Sequence, residues 1–428
     1  MNTAKKTDTT EKQVVILGGG FGGLAAATGL ANRRGIQVTL IDSKNHHLFQ
    51  PLLYQVATAG LNPADIAVPL RGLLSGAKNV QILLDRATSV DGDYVLLSDG
   101  RKIHFDYLVV ATGAEHSYFG HNDWEPFAPG LKTLEQATEI RRKILLAFEE
   151  AEKCSDNIDE RRAWMTFVIV GGGPTGLELA GAIAEIRNKT LARDFRNIQT
   201  QDARILLIEA GTRIMAMFDP SLSDKAKKSL EEMKVDVLLQ SRVENVNANG
   251  VVVNGAFVPA KTVIWAAGVQ ASPLAKTFTT HLDRVGRVIV RADCSLENRP
   301  NIFVIGDLAA FTGVSGKTLP GLAPVALQQG RFVAKTLLRE TRGQKRGTFH
   351  YFDKGMMATI GRHRAILQVG KLKMSGPIAW LAWLFIHIMY LVNYRNRLFV
   401  LIEWAWSYVT FGRGARLILG RTSTSKDE

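Results

Sequence analysis

Runs of apolar, mostly β-branched residues divide the chain into short segments typical of buried strands. Such runs occupy residues 14–17, 107–110, 167–170 and 263–265. Their hydrophobicity is continuous rather than alternating, which indicates strands covered on both faces, as in parallel sheets. A helical pattern follows the first run at residues 24–30. The pattern therefore predicts an α/β fold built on parallel sheets.

A glycine-rich turn joins the first predicted strand to its helix. Residues 18–23 have the sequence GGGFGG, which places Gly18, Gly20 and Gly23 at the three positions of GxGxxG. These glycines permit a tight turn, close approach of backbone to a pyrophosphate, and close helix–strand packing. The helix N-terminus adds free N–H groups for phosphates. Asp42 ends the next apolar run and can accept a ribose hydroxyl, so a dinucleotide site is predicted; a turn without a ligand is the alternative.

The same arrangement recurs 153 residues later, where Gly171, Gly173 and Gly176 occupy the motif positions. In the first copy 95 residues separate the opening glycine from a later small-residue turn, and in the second copy 97 do. The matching spacing indicates an internal duplication and hence two dinucleotides. Glu209 ends the strand after the second turn and favours NAD, because its carboxylate would repel a 2′-phosphate. Arg213 could soften that preference.

Charge is distributed unevenly along the 428 residues. The net charge is +13, and residues 331–428 contain 17 Lys and Arg against 5 Asp and Glu. The C-terminal quarter therefore needs an anionic partner, either a lipid surface or nucleic acid. The only cysteines, Cys154 and Cys294, are far apart, which excludes a CxxC dithiol and suits a reducing compartment. Adjacent His46 and His47 lack a third ligand, so no metal site is predicted.

These residues resemble the two-dinucleotide-binding flavoprotein oxidoreductases. In that family an N-terminal GxGxxG, a later Ala-Thr-Gly and a Gly-Asp serve FAD, and an NAD(P)H domain is inserted between them. Residues 111–113 and 306–307 match the second and third elements. More narrowly, the chain resembles the type II NADH dehydrogenases, membrane-attached NADH:quinone oxidoreductases that do not pump protons. The stretches that support this resemblance are 45–60, 171–178, 319–330 and 354–361.

The resemblance implies non-covalent FAD in the first Rossmann-type domain and NADH as a substrate in the second. The residues expected to bind FAD are Gly18, Gly20, Phe21, Gly22, Gly23, Asp42, Ser43, Ala87, Ala111, Thr112, Gly113, Gly306, Asp307, Ala326 and Leu327. The residues expected to bind NADH are Gly171, Gly173, Pro174, Thr175, Gly176, Glu209, Ala267 and Gly268.

The resemblance also implies a role for Glu178, which matches a family glutamate near the flavin and the quinone. We expect it to relay a proton or to balance the charge of the reduced flavin and quinol. A purely structural role in the first turn of a helix is the alternative. In the family's glutamine signature beside the quinone, Pro324 replaces the first glutamine and Gln328 fits the second. A helix N-terminal hydrogen bond is the structural alternative for Gln328.

Two apolar stretches near the C-terminus indicate how the chain meets its anionic partner. Residues 377–394 contain no Asp, Glu, Lys or Arg, residues 398–411 contain only Glu403, and four of the seven tryptophans lie here. The second stretch has polar positions at helical spacing, namely Asn396, Glu403, Ser407 and Thr410. We expect helices lying in the membrane interface; a spanning helix and a buried core or dimer interface are the alternatives. The cations expected on anionic lipid are Arg395, Arg397, Arg413 and Arg416.

The predicted fold class is α/β, with an FAD domain, an inserted NADH domain and C-terminal membrane-attachment helices. The expected segments are a disordered tail at 1–12, the FAD domain at 13–130 and 286–345, the NADH domain at 131–285, the membrane-binding region at 346–420 and a tail at 421–428.

The predicted function is FAD-dependent transfer of electrons from NADH to a membrane quinone. The expected partners are NADH, the quinone and the lipid surface, with a homodimer left open and no nucleic acid. The expected location is the cytoplasmic face of the cell (inner) membrane, as a peripheral or monotopic protein. The alternatives are a sulfide:quinone oxidoreductase, which needs working cysteines at the flavin, and a redox-responsive flavoprotein that acts as a binding module.

Overall fold

The computed structural model describes residues 11–154, 156–278, 280–313, 316–410 and 415–418, so the predicted tails fall almost entirely outside the described residues. The helices are α1 (Phe21–Leu30), α2 (Leu53–Ala57), α3 (Pro63–Ile66), α4 (Leu70–Leu73), α5 (Leu134–Lys153), α6 (Ile158–Trp164), α7 (Pro174–Glu185), α8 (Pro220–Glu232), α9 (Ala323–Glu340), α10 (Pro377–Tyr390) and α11 (Tyr394–Thr410).

The strands are β1 (Lys12–Leu17), β2 (Ile36–Asp42), β3 (His46–Leu48), β4 (Ala67–Pro69), β5 (Val80–Leu84), β6 (Ala87–Asp91), β7 (Tyr94–Leu97), β8 (Lys102–His104), β9 (Tyr107–Val110), β10 (Ala114–His116), β11 (Thr166–Val170), β12 (Arg204–Ile208), β13 (Asp236–Leu238), β14 (Val243–Asn247), β15 (Gly250–Val253), β16 (Ala256–Pro259), β17 (Thr262–Trp265), β18 (Val269–Ala271), β19 (Val288–Ile289), β20 (Ile302–Val304), β21 (Ala309–Ala310), β22 (Met356–Thr359), β23 (Ala365–Val369) and β24 (Leu372–Ser375).

The chain forms two compact units, each assembled from three separate stretches. Unit 1 takes the described residues of Met1–Leu48, Ala67–Glu115 and Val269–Phe352, and unit 2 takes those of Phe49–Ile66, His116–Gly268 and Asp353–Glu428. The finer domain boundaries given above stay predictions.

Unit 1 is built on a five-stranded parallel sheet of order β20-β9-β1-β2-β5. Val14 and Ile16 of β1 enter the core on one face of the sheet, while Val15 and Leu17 enter the core on the other. Burial on both faces explains the continuous hydrophobic run in the sequence. A three-stranded antiparallel meander, β6-β7-β8, lies between β5 and β9 in chain order.

Unit 2 repeats this plan with a four-stranded parallel sheet of order β13-β12-β11-β17. Here too an antiparallel meander, β14-β15-β16, comes in the chain just before a strand of the parallel sheet, in this unit β17. The long helix α5 begins with a capping box in which Thr133 and Gln136 each accept a backbone N–H of the other. Two parallel sheets with the same plan confirm the predicted α/β fold with duplicated Rossmann-type units.

The C-terminal part of unit 2 consists of an antiparallel sheet, β22-β23-β24, followed by α10 and α11. Ala379, Trp380 and Trp383 are buried on the inner face of α10, and Ala365 and Leu367 of β23 belong to the same core cluster as the first two. The predicted C-terminal helices are therefore present. Among the described residues, no helix has both the length and the apolar character needed to cross a bilayer.

Candidate functional site

The glycine turn of unit 1 lies at the carboxyl edge of its sheet, after β1. A Cβ on Gly18 would lie 2.4 Å from the carbonyl oxygen of Ala111, and one on Gly23 would lie 1.8 Å from that of Gly18. A Cβ on Gly20, by contrast, would have no atom within 4 Å and would face open space. The first and third glycines are thus required by packing, and the second presents bare backbone where a pyrophosphate would approach.

The glycine turn of unit 2 repeats this pattern. A Cβ on Gly171 would lie 2.7 Å from the carbonyl oxygen of Ala266, and one on Gly176 would lie 1.9 Å from that of Gly171. Gly173 again faces open space. Both turns therefore fit a dinucleotide in the same way, which supports two separate nucleotide sites.

The two predicted acids hold the glycine turns through hydrogen bonds, and their expected role at the ribose stays a prediction. Asp42 Oδ2 accepts the N–H of Gly19 at 2.5 Å. Glu209 Oε2 accepts the N–H of Gly172 at 2.7 Å, and its Oε1 accepts that of Gly211 at 2.6 Å. Each carboxylate oxygen keeps a further lone pair, so both acids can still accept a ribose hydroxyl.

The predicted Ala-Thr-Gly and Gly-Asp residues, together with Ala326, lie at the same edge of the unit 1 sheet. Residues 111–113 follow β9, and Ala111 donates its N–H to the carbonyl of Leu17 at 2.7 Å. Gly306 and Asp307 follow the neighbouring strand β20. Ala326, in the first turn of α9, lies 3.3 Å from the Cβ position of Gly306. The structure thus brings these predicted residues and the glycine turn together at one edge of the sheet, which is called the FAD cradle below.

The other predicted FAD residues lie on the segments that border this cradle. Phe21 and Gly22 open α1, Leu327 follows Ala326 in α9, and Ser43 follows Asp42 in an exposed position. Ala87 is the first residue of β6. Two residues before it, just after the end of β5, Asp85 donates its N–H to the carbonyl of Asp42 at 3.0 Å. Their contact with FAD stays a prediction.

Gln329 contributes to this cradle and was missed in the sequence. It is 1% exposed, and its Oε1 accepts the N–H of Gly306 at 2.7 Å. The pair Gln328-Gln329 was the only signal, and only the phase of α9 shows which of the two faces inward.

The residues predicted for NADH gather at the carboxyl edge of unit 2. Pro174 and Thr175 are the first two residues of α7, where proline is well tolerated. Ala267 and Gly268 follow β17, next to the first motif glycine. A contribution of Met215 to this site was not predicted. Met215 donates its N–H to the carbonyl of Gly172 at 2.7 Å and so stabilises the glycine turn.

Glu178 lies on α7 beside the last residue of β22. It is the fifth residue of the helix, so the structural alternative of a first-turn glutamate is wrong. Burial raises the pKa of its carboxyl to about 8, and a backbone hydrogen bond from Thr359 opposes that rise. Thr359 also lines a cavity of about 60 Å³ together with Glu185, Arg362 and Trp383. A cavity of this size and polarity can hold a few water molecules.

The two residues predicted near the quinone both lie in the first turns of α9. Pro324 is its second residue, a position that needs no intrahelical N–H bond. The amide of Gln328 is committed to the backbone of Phe352, donating to its carbonyl at 3.0 Å and accepting its N–H at 2.9 Å. The helix N-terminal bond proposed as its structural alternative is not the one it makes.

The helices α10 and α11 each have a buried face and an exposed apolar face. The exposed face of α10 consists of apolar side chains three or four residues apart, namely Ile378, Leu381, Phe385 and Met389. On α11 the exposed apolar side chains are Leu398, Phe399, Leu401, Ile402 and Trp406. Large apolar patches of this kind mark an interaction surface.

The polar stripe predicted on α11 turns inward at Asn396. This residue is 5% exposed, and its side-chain amide donates to the carbonyls of Ala64 at 3.0 Å and Asp65 at 2.8 Å. On the same face, Trp404 donates its indole N–H to Gln55 Oε1 at 2.8 Å. These bonds tie α11 to the segment containing α2 and α3.

The four arginines expected on lipid have different surroundings. Arg395 is exposed and lies over the ring of Phe399, whereas Arg397 donates to the carbonyl of Leu391 at 2.9 Å. Arg416 forms an ion pair with Asp194. Arg413 lies outside the described residues, as do the side chains of Ser407 and Thr410.

Neither cysteine has the surroundings of a reactive thiol. Cys294 is fully buried and Cys154 is partly buried, and burial raises the pKa of both thiols. Within the part of the chain that the structure describes, no group of three or more His, Cys, Asp or Glu side chains could hold a metal ion. The site chemistry therefore rests on the two nucleotide cradles and Glu178.

Two protein families match different parts of this chain. Residues 12–330 match the family of pyridine nucleotide-disulphide oxidoreductases, and residues 354–414 match the NDH2 C-terminal domain. The chain belongs to the pyridine nucleotide-disulphide oxidoreductases, in agreement with its two nucleotide-binding folds.

Full-length relatives then give the particular family. The chain is 42% identical to the type II NADH:quinone oxidoreductase NdhA of Mycobacterium tuberculosis, over 95% of this chain and 89% of that protein. It is 41% identical to the type II NADH:quinone oxidoreductase Ndh of the same organism, over 94% and 89%. The chain belongs to the type II NADH:quinone oxidoreductases, a family of peripheral membrane enzymes. The predicted enzyme class, with FAD and NADH as its dinucleotides, is confirmed.

Solved structures agree on the fold. NDH2 from Plasmodium falciparum in complex with NADH superposes with a TM-score of 0.87 at 19% identity, covering 96% of this chain and 100% of that one. The sulfide:quinone oxidoreductase of Aquifex aeolicus has a TM-score of 0.73 at 21% identity, covering 90% and 91%. The sulfide:quinone alternative thus shares the fold, while the family membership and the two thiols argue against its chemistry. The binding-module alternative disagrees with membership in an enzyme family.

Proposed function

We propose that this chain oxidises NADH at the carboxyl edge of the unit 2 sheet and reduces a membrane quinone, with Glu178 as its proton-handling side chain. The observation that supports this best is the repeated pattern of the glycine turns, packed at the first and third glycines and open at the second. When bound, FAD accepts the hydride of NADH and delivers two electrons to the quinone.

The two nucleotides are distinguished by the acids that follow the second strand of each sheet. Both carboxylates can accept ribose hydroxyls, and Glu209 would repel a 2′-phosphate. We therefore assign NADH, rather than NADPH, as the preferred donor. The chain's contribution to hydride transfer is to hold the nucleotide, because positioning supplies much of the rate enhancement.

Glu178 suits proton transfer to a quinone that becomes a quinol. A carboxyl whose pKa lies near 8 is protonated at neutral pH and can donate. The cavity lined by Thr359 also has polar groups from Glu185 and Arg362, so it can hold water close to the residue whose backbone bonds Glu178.

Attachment to the membrane is assigned to the exposed apolar faces of α10 and α11. Phe385 is 68% exposed and Trp406 is 65% exposed, so burial in lipid would remove a large apolar area from water. Lys354, whose ammonium donates to Tyr390 at 2.5 Å, and Arg395 place cations beside this face. Cations favour anionic lipid of the cytoplasmic leaflet, which also faces the cell's NADH. A homodimer stays a prediction.

The test is anaerobic stopped-flow absorbance of the purified holoenzyme. NADH should bleach the flavin band, and a quinone should restore it within one turnover. Flavin that is reduced by NADH but is not reoxidised faster by quinone than by air would overturn the proposal. Flavin that NADH fails to reduce would overturn the assignment of the donor.

A further inference from the structure

We infer that Phe119 is a substrate-positioning residue whose ring packs against the nicotinamide riboside of NADH. The inference rests on the NADH site proposed above. Two properties of this residue conflict with ordinary surface packing.

Phe119 is both exposed and strained. Its side chain is 66% exposed, and its backbone has a φ of +53° in the left-handed region. A bulky residue in that region is a true outlier, whereas asparagine or glycine would make the same turn at lower cost. Strain of this kind clusters at active sites and ligand-binding sites.

The segment containing Phe119 is tied to the end of β17. The Trp265 indole N–H donates to the carbonyl of Ser117 at 2.9 Å, and the Ser117 N–H donates to the carbonyl of Gly268 at 3.3 Å. The Phe119 N–H in turn donates to Ser117 Oγ at 3.3 Å. The conformation of Phe119 is therefore determined by the strand end beside it.

The ring of Phe119 lies directly against Gly268. A Cβ on Gly268 would lie 2.5 Å from Phe119 Cζ, so only glycine allows the ring to occupy this place. The ring edge also meets the Trp265 ring, with centroids 6.3 Å apart. One side of the ring is thus fixed by unit 2, and its other side remains open.

The position in the sheet identifies what would cover that open side. In the order β13-β12-β11-β17, the glycine turn follows β11 and Glu209 follows β12, so the adenosine half lies on the β12 side. A dinucleotide crossing the glycine turn must place its other half on the β17 side. That half is the nicotinamide riboside, and β17 ends beside Phe119.

The test compares a ligand that contains the nicotinamide riboside with one that lacks it. Tetrahydro-NAD, which cannot reduce the flavin, and ADP, which has no nicotinamide riboside, are titrated into oxidised holoenzyme by calorimetry. Phe119→Asn should weaken tetrahydro-NAD about fivefold, the size of one aromatic contact, and leave ADP affinity unchanged. Phe119→Tyr should retain the affinity for tetrahydro-NAD. The control is Phe257→Asn, since Phe257 is a 51% exposed phenylalanine of the same unit on β16.

The stability of the same variants provides a second measurement. Because asparagine accepts the left-handed conformation, Phe119→Asn should melt at the wild-type temperature or above it. Unchanged tetrahydro-NAD affinity in a folded Phe119→Asn enzyme would overturn the inference. Equal weakening of ADP would also overturn it, because the ring would then act on the whole site. Wild-type enzyme that binds neither ligand would instead overturn the NADH site itself.

Discussion

Glu209 and Gly172 are joined by a hydrogen bond of 2.7 Å, in which the glycine turn donates a backbone N–H to the acid that ends the next strand. The other carboxylate oxygen of Glu209 accepts the N–H of Gly211 at 2.6 Å. The acid therefore shapes the glycine turn proposed to receive the pyrophosphate, in addition to its proposed contact with the ribose. Asp42 and Gly19 have the same relationship in unit 1.

Glu209→Gln should weaken NADH binding, because the amide places an N–H₂ against one of the two backbone donors. Loss of a hydrogen bond at a partly buried site costs about 1–3 kcal/mol. That corresponds to roughly a 5- to 150-fold rise in the KM for NADH. Steady-state kinetics with NADH and NADPH measure both the rise and the lost preference for NADH.

Glu232→Gln is the control for this change, since Glu232 is an exposed acid of the same unit that pairs with Arg364. It should leave both KM values as in the wild type. A Glu209→Gln enzyme with unchanged KM for NADH would contradict the assigned role.

Glu178→Gln should make stability less dependent on pH. The folded state raises the pKa of this carboxyl from 4.5 to about 8, so between these values the folded protein holds a proton that the unfolded chain has lost. Folding is therefore weakened progressively as the pH rises through this window. Thermal melts should show equal stability of the two proteins near pH 4 and a growing advantage of Glu178→Gln up to pH 8.

The same variant should lose quinone turnover, by roughly 10²-fold, which is typical of removing one general acid. Wild-type turnover should fall above pH 8, where Glu178 becomes charged, and the residual turnover of the variant should not follow that profile. Parallel pH profiles in the two enzymes would remove Glu178 from proton transfer.

Gln329→Leu should reduce stability and FAD retention, because the N–H of Gly306 would lose its acceptor in a part-buried place. We expect a cost of about 1–3 kcal/mol in the free energy of unfolding. The matched change is Gln328→Leu on the next residue, whose bonds to Phe352 lie in a more exposed position. Chemical denaturation and the ratio of flavin to protein absorbance compare the two. Equal effects would show that the contact with Gly306 has no special weight.

Phe385→Asp should release the protein from lipid vesicles, since it places a charge in the exposed face of α10. Loss of one phenylalanine that is buried in lipid weakens partition into the membrane by about 1.5–3 kcal/mol, which corresponds to a roughly 10- to 150-fold loss of affinity. The control is Phe352→Asp, because Phe352 is 72% exposed and lies outside α10 and α11. Sedimentation with anionic vesicles at low and high salt measures the effect. Release of both variants alike, or of neither, would contradict attachment through this face.

Local spacing in the sequence was enough to find both nucleotide cradles. The glycine motifs, Asp42 and Glu209 depend on turns and strand ends that involve neighbouring residues, so their roles follow from short patterns. The packing of Gly18 and Gly171 in the structure agrees with those patterns.

Features that depend on tertiary packing were not predictable in this way. Gln328 and Gln329 differ by one residue, and only the packing of α9 decides which one faces Gly306. Asn396 belongs to a polar stripe, but the spacing of a stripe does not say whether it faces water or the carbonyls of α3. The left-handed backbone of Phe119 leaves no compositional trace, because phenylalanine is not a residue that such turns select.

The bonds from Asn396 and Trp404 to the segment containing α2 and α3 bear on how this enzyme could be made soluble. Deleting the C-terminal helices would remove their exposed apolar faces. It would also remove the hydrogen-bond donors of Gln55 and of the carbonyls of Ala64 and Asp65. Shortening the chain thus exchanges one uncovered surface for another. Exchanging outward side chains such as Leu381 and Phe385 for polar ones, with the helices kept whole, is the route that leaves the interior intact.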